Sequence, residues 1–233
     1  MIVRSAGSGV HLITQPDHAQ LAARIMERCA NLAAHPRRGS ILRAIRDHDN
    51  GWADGDAAPS VDPGTGVIVD FIAAPVDVRQ GVWPRAVAML ADDPLAAALV
   101  AQHAIVAYDR LRPDPAWAAF FVGMAALRDA WLARTTVTLE DLQADYVYLR
   151  LGDLISLAFC TGKSALPPYA GWTVESSGDA VVVSPDPFAG AVVTMEVEAR
   201  ALGAAAFESD DALRRALATA TSMTLSGEAR GRS

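Results

Sequence analysis

The sequence predicts a mainly α fold, a helical bundle with a small C-terminal antiparallel β appendage. Three observations carry this expectation. Apolar residues recur at three- and four-residue spacing through most of the first 165 positions. The segment 138–161 is apolar nearly all round, as a helix at the centre of a bundle would be. After Pro167-Pro168 the pattern changes to alternation with period two. A chain of 233 residues with 52% hydrophobic and 20% charged side chains is long and apolar enough to bury a core. It reads as one domain over residues 1–233, with a helical core at about 14–165 and the β appendage and a final helix at about 170–222.

Residues 1–13 alternate around Ala6-Gly7-Ser8-Gly9 and read as a small hairpin or an extended arm. Thr14, followed by Pro16 and by Asp17 three residues on, makes a capping start for a helix to about Asn31. Its apolar positions Leu21, Ile25, Cys29 and Leu32 follow His18, which therefore faces inward. Gly39-Ser40 opens a second helix, in which His48 shares the buried face of Ile41 and Ile45. From Gly51 to Pro75 the chain is rich in Gly, Pro and Asp without periodicity, yet holds Trp52, Val67, Ile68, Val69 and Phe71. An ordered lid or pocket wall is expected there. Helices follow at about 78–90, 94–110, 115–133 and 138–161, two of them announced by Asp93-Pro94 and Asp114-Pro115. Strands are expected at Thr173 to Glu175, Ala180 to Ser184 and Val192 to Ala199, then a short helix from about Asp210 to Ala220. Residues Ser226 to Ser233 read as a frayed end.

A net charge of −7 gives no basic footprint for nucleic acid and does not favour an anionic membrane surface. Almost every cation is an arginine; Lys163 is the only lysine, so Schiff-base chemistry would rest on that residue alone. Two cysteines, Cys29 and Cys160, are too few for a disulfide framework or a cysteine zinc site and read as reduced core residues. Met1 to Gly9 lacks the apolar core of a signal peptide, and the most apolar run, Leu95 to Tyr108, is too short to span a bilayer. A cytoplasmic location is expected; no oligomeric state follows from these features.

The chemistry concentrates in Asp47-His48-Asp49, which runs into Asn50-Gly51-Trp52. An imidazole beside a carboxylate offers two donors to one cation. Asp153, a carboxylate in the middle of an apolar helix, needs a partner, since an unpaired buried charge is costly. His18, His48, Asp49 and Asp153 together form a candidate metal site. Two imidazoles and two carboxylates suit Mn, Fe, Co, Ni or Zn better than Ca or Mg. His103, on the 94–110 helix among Leu99, Val100 and Val106, is a candidate proton donor or a ligand to a second ion. Arg43 and Arg46 precede the His-Asp pair and are candidate clamps for an anion, although a solvated helix face also explains them. Ser156 and Cys160, one and two turns beyond Asp153, read as core packing.

At these residues the chain resembles an uncharacterised bacterial family, domain of unknown function 3891. The resemblance rests on Ile13-Thr14-Gln15-Pro16-Asp17-His18-Ala19-Gln20, His48-Asp49-Asn50-Gly51-Trp52, Asp56-Ala57-Ala58-Pro59 and Asp153-Leu154-Ile155-Ser156-Leu157. More distantly, His18, His48-Asp49 and Asp153 are similar in order to the metal ligands of the HD-domain superfamily. That resemblance implies an HD-domain-like helical bundle and metal-dependent phosphohydrolysis, with a minority branch of di-iron oxygenases. Many superfamily members follow His-Asp with a segment ending in Gly-Lys, where this chain has Asn50-Gly51-Trp52. The expectation that follows is a hydrolase of a small phosphorylated metabolite using one or two divalent ions. An iron-dependent oxygenase and a non-catalytic small-molecule-binding protein are the alternatives.

Overall fold

The computed structural model describes residues 1–232. A hairpin of β1 (Ile2–Ala6) and β2 (Gly9–Ile13) opens the chain. Helices α1 (Gln15–Met26), α2 (Ala30–Ala33) and α3 (Arg38–Asp47) follow, and Asn50–Trp52 forms a 3-10 turn leading into α4 (Ala53–Ala57). After an irregular stretch come α5 (Val76–Ala88), α6 (Pro94–Ala107), α7 (Ala118–Leu132) and α8 (Leu139–Thr161). The C-terminal part holds β3 (Thr173–Ser177), β4 (Ala180–Ser184), β5 (Val192–Leu202), α9 (Asp210–Thr219) and β6 (Thr221–Gly231). Among the described residues, no helix is long and apolar enough to cross a membrane.

The expectation of a mainly α, HD-domain-like bundle with a small β appendage is overturned. About 50% of the chain is helical and 21% is strand, and the strands form one six-stranded, curled half-barrel sheet, so the fold is α/β. Its order is β1-β2-β5-β6-β4-β3. Two segments produce the difference. The N-terminal hairpin joins the sheet through β2, which pairs antiparallel with β5 from Val10↔Leu202 to Leu12↔Arg200. The end expected to fray instead supplies β6, antiparallel to β5 over ten residue pairs and parallel to β4. Its sequence, TSMTLSGEARG, alternates only weakly, because small and polar residues stand where large apolar ones would mark a strand. By contrast β5 alternates plainly, with Val193, Met195, Val197 and Ala199 buried.

The helical part meets the sequence reading more closely. Thr138 caps α8 by accepting from Asp141 N while the Asp141 side chain bonds back, and the helix runs 23 residues to Gly162. α1 is shorter than expected, since the chain leaves the helix after Met26 and Cys29 caps α2. α1 packs on α3 and α8, and α6 packs on α3, α5, α7 and α8. α1 and α8 approach so closely at Gly152 that an added Cβ would stand 2.7 Å from Met26 Cγ. That glycine precedes Asp153 and lets the carboxylate's helix sit directly against the helix of His18.

Candidate metal centre

Four helices bring the ionisable residues to one place. Thr14 caps α1 by accepting from Asp17 N at 3.1 Å, which fixes the first turn and directs His18 inward. His48 ends α3, and Asp49 follows in the bend before the 3-10 turn. Asp153 stands in the middle of α8 and His103 in α6. All five are buried. His18 Nε2 is 3.2 Å from Asp153 Oδ1 and 3.6 Å from Asp49 Oδ2. His48 Nε2 is 3.4 Å from Asp49 Oδ2 and 3.7 Å from Asp153 Oδ1, and His103 Nε2 is 3.8 Å from Asp153 Oδ2.

The other ring nitrogens reveal which tautomers these are. His48 Nδ1 lies 2.7 Å from the Ile45 carbonyl, an acceptor only, so Nδ1 carries the hydrogen. Ser156 donates its hydroxyl hydrogen to the His18 carbonyl at 2.8 Å and therefore accepts from His18 Nδ1 at 2.7 Å. With Nδ1 carrying the hydrogen, a neutral ring in either place would aim an Nε2 lone pair at carboxylate oxygens, and both Nε2 atoms are buried without a hydrogen-bond partner. Lone pairs facing carboxylates repel unless a positive charge sits between them. In the metal-free chain a proton answers that demand. Burial alone would lower the His48 pKa, but Asp49 and Asp153 outweigh it and raise the imidazole to about 9. Burial likewise acts to raise Asp153, yet His18, His48, His103 and Arg150 hold it well below the usual carboxylate range. His103 goes the other way: burial, only partly offset by Asp153, pushes it well below an ordinary histidine.

A cation fits the same demand. Donor atoms about 2.1 Å from one ion stand about 3.0 Å apart at a right angle and about 3.4 Å apart at the tetrahedral angle. The observed separations lie at or just above these values. Two overlapping groups, His18/His48/Asp49 and His48/His103/Asp153, can hold a metal ion. The fixed Nδ1–H bonds behind His18 and His48 are the support that metal-ligating imidazoles need.

The cluster forms the floor of a cavity of about 220 Å³, which Asp49, His103 and Asp153 line. Trp52, Phe71, Trp83 and Tyr108 supply aromatic walls. Gln15, Arg79, Arg110, Arg150 and Lys163 supply the polar ones. Phe71 and Ile72 come from the long 51–75 loop, which also contains α4 and an isolated bridge, Val61↔Ile68.

Arg43 and Arg46 are not brought to the cluster. Arg43 pairs with Asp92 through two bonds of 2.7 Å, and Arg46 folds onto its neighbour Asp47. They occupy the face of α3 opposite Ile41, Ala44 and Ile45, and neither lines the cavity. The arginine at the centre is one that the sequence reading missed. Arg150, one turn before Asp153, donates to Asp153 Oδ2 at 2.6 Å. Its i, i+3 spacing to the buried aspartate was the available signal. Ser156, read as core packing, anchors His18 instead. Tyr146, whose hydroxyl lies 3.1 Å from His103 Nδ1, gave no signal apart from its apolar helix. Among the loop aspartates, Asp62 closes a surface turn with Gly64 and Thr65, and Asp56 accepts from Gln15 N at 2.5 Å.

An α/β chain with a curled sheet, packed helices and a buried His/Asp cluster able to hold a metal is what the fold and site define. The chain belongs to the family described as protein of unknown function DUF3891, whose model matches residues 1–204. That span includes the cluster and all the cavity walls. No curated protein and no solved structure matches it.

Proposed function

We propose that this protein is a metal-dependent hydrolase acting on a small phosphorylated metabolite. The observation that carries the reading is the pair of unpartnered Nε2 atoms of His18 and His48 facing Asp49 and Asp153 on the floor of a cation-lined cavity. His18, His48, Asp49 and Asp153 would hold one divalent ion, with Mn, Fe, Co, Ni or Zn suiting the mixed nitrogen and oxygen donors. One ion suffices because His48 has only Nε2 to give, its Nδ1 being bonded to Ile45. When bound, such an ion supplies Lewis acidity and lowers the pKa of water towards neutrality.

The remaining work falls to side chains. Arg150 holds Asp153 in place and, lining the cavity, offers its guanidinium to an anion, the role expected of Arg43 and Arg46. Trp83 and Tyr108 wall the floor against bulk water. His103 Nε2 stands where it can complete the donor set or take up a proton. A cavity of about 220 Å³ is below the roughly 300–1,000 Å³ of sites for drug-sized ligands, which favours a small metabolite. The His…His-Asp…Asp order, similar to that of HD-type phosphohydrolases, supports phosphoester hydrolysis.

Metal analysis by mass spectrometry tests the reading, on protein purified without chelator or metal-affinity resin, beside His48→Ala and Asp153→Ala. Near-stoichiometric metal in the wild type and its loss in both variants support it, and turnover of a phosphomonoester without oxygen completes it. Wild-type protein that takes up no metal even on reconstitution would overturn it. One observation favours a second reading, an iron-dependent oxidase or oxygenase: His103 adds a third imidazole in the His48/His103/Asp153 group. That reading requires bound iron and oxygen uptake.

A further inference from the structure

Two helices line the cavity along their length. Asp153, Leu154, Leu157 and Thr161 of α8 all face it, and eight residues of helix rise carry the wall about 12 Å away from the cluster. Beyond the helix end the lining continues to Lys163, the only lysine of the chain. On α6 the wall runs from His103 through Ala107 and ends at Arg110 beyond the helix. Arg110 and Lys163 are both exposed, so they mark the solvent end, while Asp49 and Asp153 are buried at the floor.

These cations differ from the arginines that carboxylates neutralise. Arg37, Arg43, Arg46, Arg112, Arg128, Arg150, Arg214 and Arg232 all lie within ion-pair distance of a carboxylate. Among the described residues Arg79, Arg110 and Lys163 are three of the cations that form no ion pair, and all three line one cavity. Arg79 is held with its guanidinium over the Trp117 ring at 5.2 Å, and its Nε is buried without a partner. Gln15, almost wholly buried one turn before His18, also lines this space and has a side-chain oxygen without a partner. Unneutralised cationic donors lining one cavity are what an oxyanion requires.

We propose that the cavity has a second anion subsite at its mouth, formed by Lys163, Arg110 and Arg79 and separate from the floor. Its ligand is a remote oxyanionic group of the substrate, a phosphate or carboxylate on the order of 10 Å from the bond that reacts. The substrate is therefore an elongated small molecule with an anion at each end, and the hydroxyl or amide hydrogen that Gln15 would accept lies near the floor. The subsite stands on the cavity geometry alone; only the statement of which end reacts rests on the proposed hydrolase reading.

The single lysine provides the test. Neutral N-succinimidyl acetate is reacted with the full-length protein, and acetylation of the Lys163 peptide is followed by mass spectrometry with inorganic phosphate or acetate as the probe. At a probe concentration about ten times its dissociation constant the free site falls roughly tenfold, and so should the rate. Protection is expected in wild type and equally in metal-free His48→Ala, and should need several-fold more probe in Arg110→Ala. Phosphate acting at lower concentration than acetate identifies a phosphate subsite, and the reverse order a carboxylate subsite. An acetylation rate unchanged by either anion overturns the proposal, whatever the metal analysis gives. Protection confined to metal-loaded wild type overturns it too, because the anion would then be bound at the floor.

Discussion

Ser156→Ala is the most informative single change. The hydroxyl makes two bonds to one residue: it accepts from His18 Nδ1 at 2.7 Å and donates to the His18 carbonyl at 2.8 Å. Alanine leaves the buried Nδ1–H of His18 unpaired, at a cost of about 1–3 kcal/mol, and takes from the His18 carbonyl a bond additional to its helix bond, so the melting temperature should fall. The more telling effect falls on metal. Without the serine acceptor nothing fixes the hydrogen on Nδ1, and the imidazole loses both its tautomer and its orientation. Supporting bonds of this kind are worth roughly 10–100-fold in metal affinity. Affinity is read by competition with a chromogenic chelator at fixed pH, on protein shown by circular dichroism to be folded. Cys160→Ala is the control, because Cys160 Sγ lies 3.9 Å from Ser156 Oγ and belongs to the same packing layer without bonding the imidazole. It should lower stability and leave metal affinity unchanged. A folded Ser156→Ala protein that binds metal as tightly as wild type would refute the assignment of His18 as a ligand held through Ser156.

Three other outcomes are expected. Gly51→Ala should destabilise the fold by about 3 kcal/mol, the upper range for overpacking, and lower metal occupancy, because an added Cβ would stand 1.9 Å from the Val82 carbonyl beside Asp49; denaturant unfolding and metal analysis read the two effects. Both thiols should resist Ellman's reagent at pH 8 until the protein is unfolded, since burial raises the Cys29 pKa and pushes Cys160 up to about 12, leaving each protonated; a fast native reaction at either would contradict this. Arg43→Ala should cost no more than about 1 kcal/mol, as expected for a pair with exposed Asp92, and leave metal content intact, whereas Arg150→Ala should weaken phosphate inhibition of the loaded enzyme.

The candidate site was more legible in the sequence than the fold. A carboxylate inside an apolar helix is conspicuous because its burial is costly, and so Asp153 drew attention to the histidines able to answer it. Helical periodicity then placed His18, His48 and His103 on inward faces, and the structure gathers all of them with Asp49. Periodicity says which face a residue takes, not what lies across from it. Arg43 and Arg46 were near the motif in sequence, yet their face of α3 points to Asp92 and to solvent. Arg150 was hidden because an arginine in a long helix is usually a solvated one. The sheet was harder still. Pairing of β2 with β5 joins residues about 190 positions apart, and no local pattern announces it. β6 has an alternation so polar that it reads as a tail, and only its two partner strands give it order.

The electrostatics of the cavity tie the metal and the anion together. Asp49 and Asp153 place two negative charges at the floor and Arg150 returns one positive charge, so without a further cation an approaching phosphate meets a net negative surface. A proton on His48 neutralises that surface but does not make it attractive, and a divalent ion reverses its sign. On the proposed reading, binding at the floor would therefore be conditional on metal. The proposed mouth subsite would have no such condition, because Arg79, Arg110 and Lys163 form no ion pair with the cluster. A two-ended anion would then be captured first at the mouth and drawn to the floor only when metal is present. An anion at the mouth alone gains nothing from the floor, so such a cavity discriminates by substrate length as well as by charge.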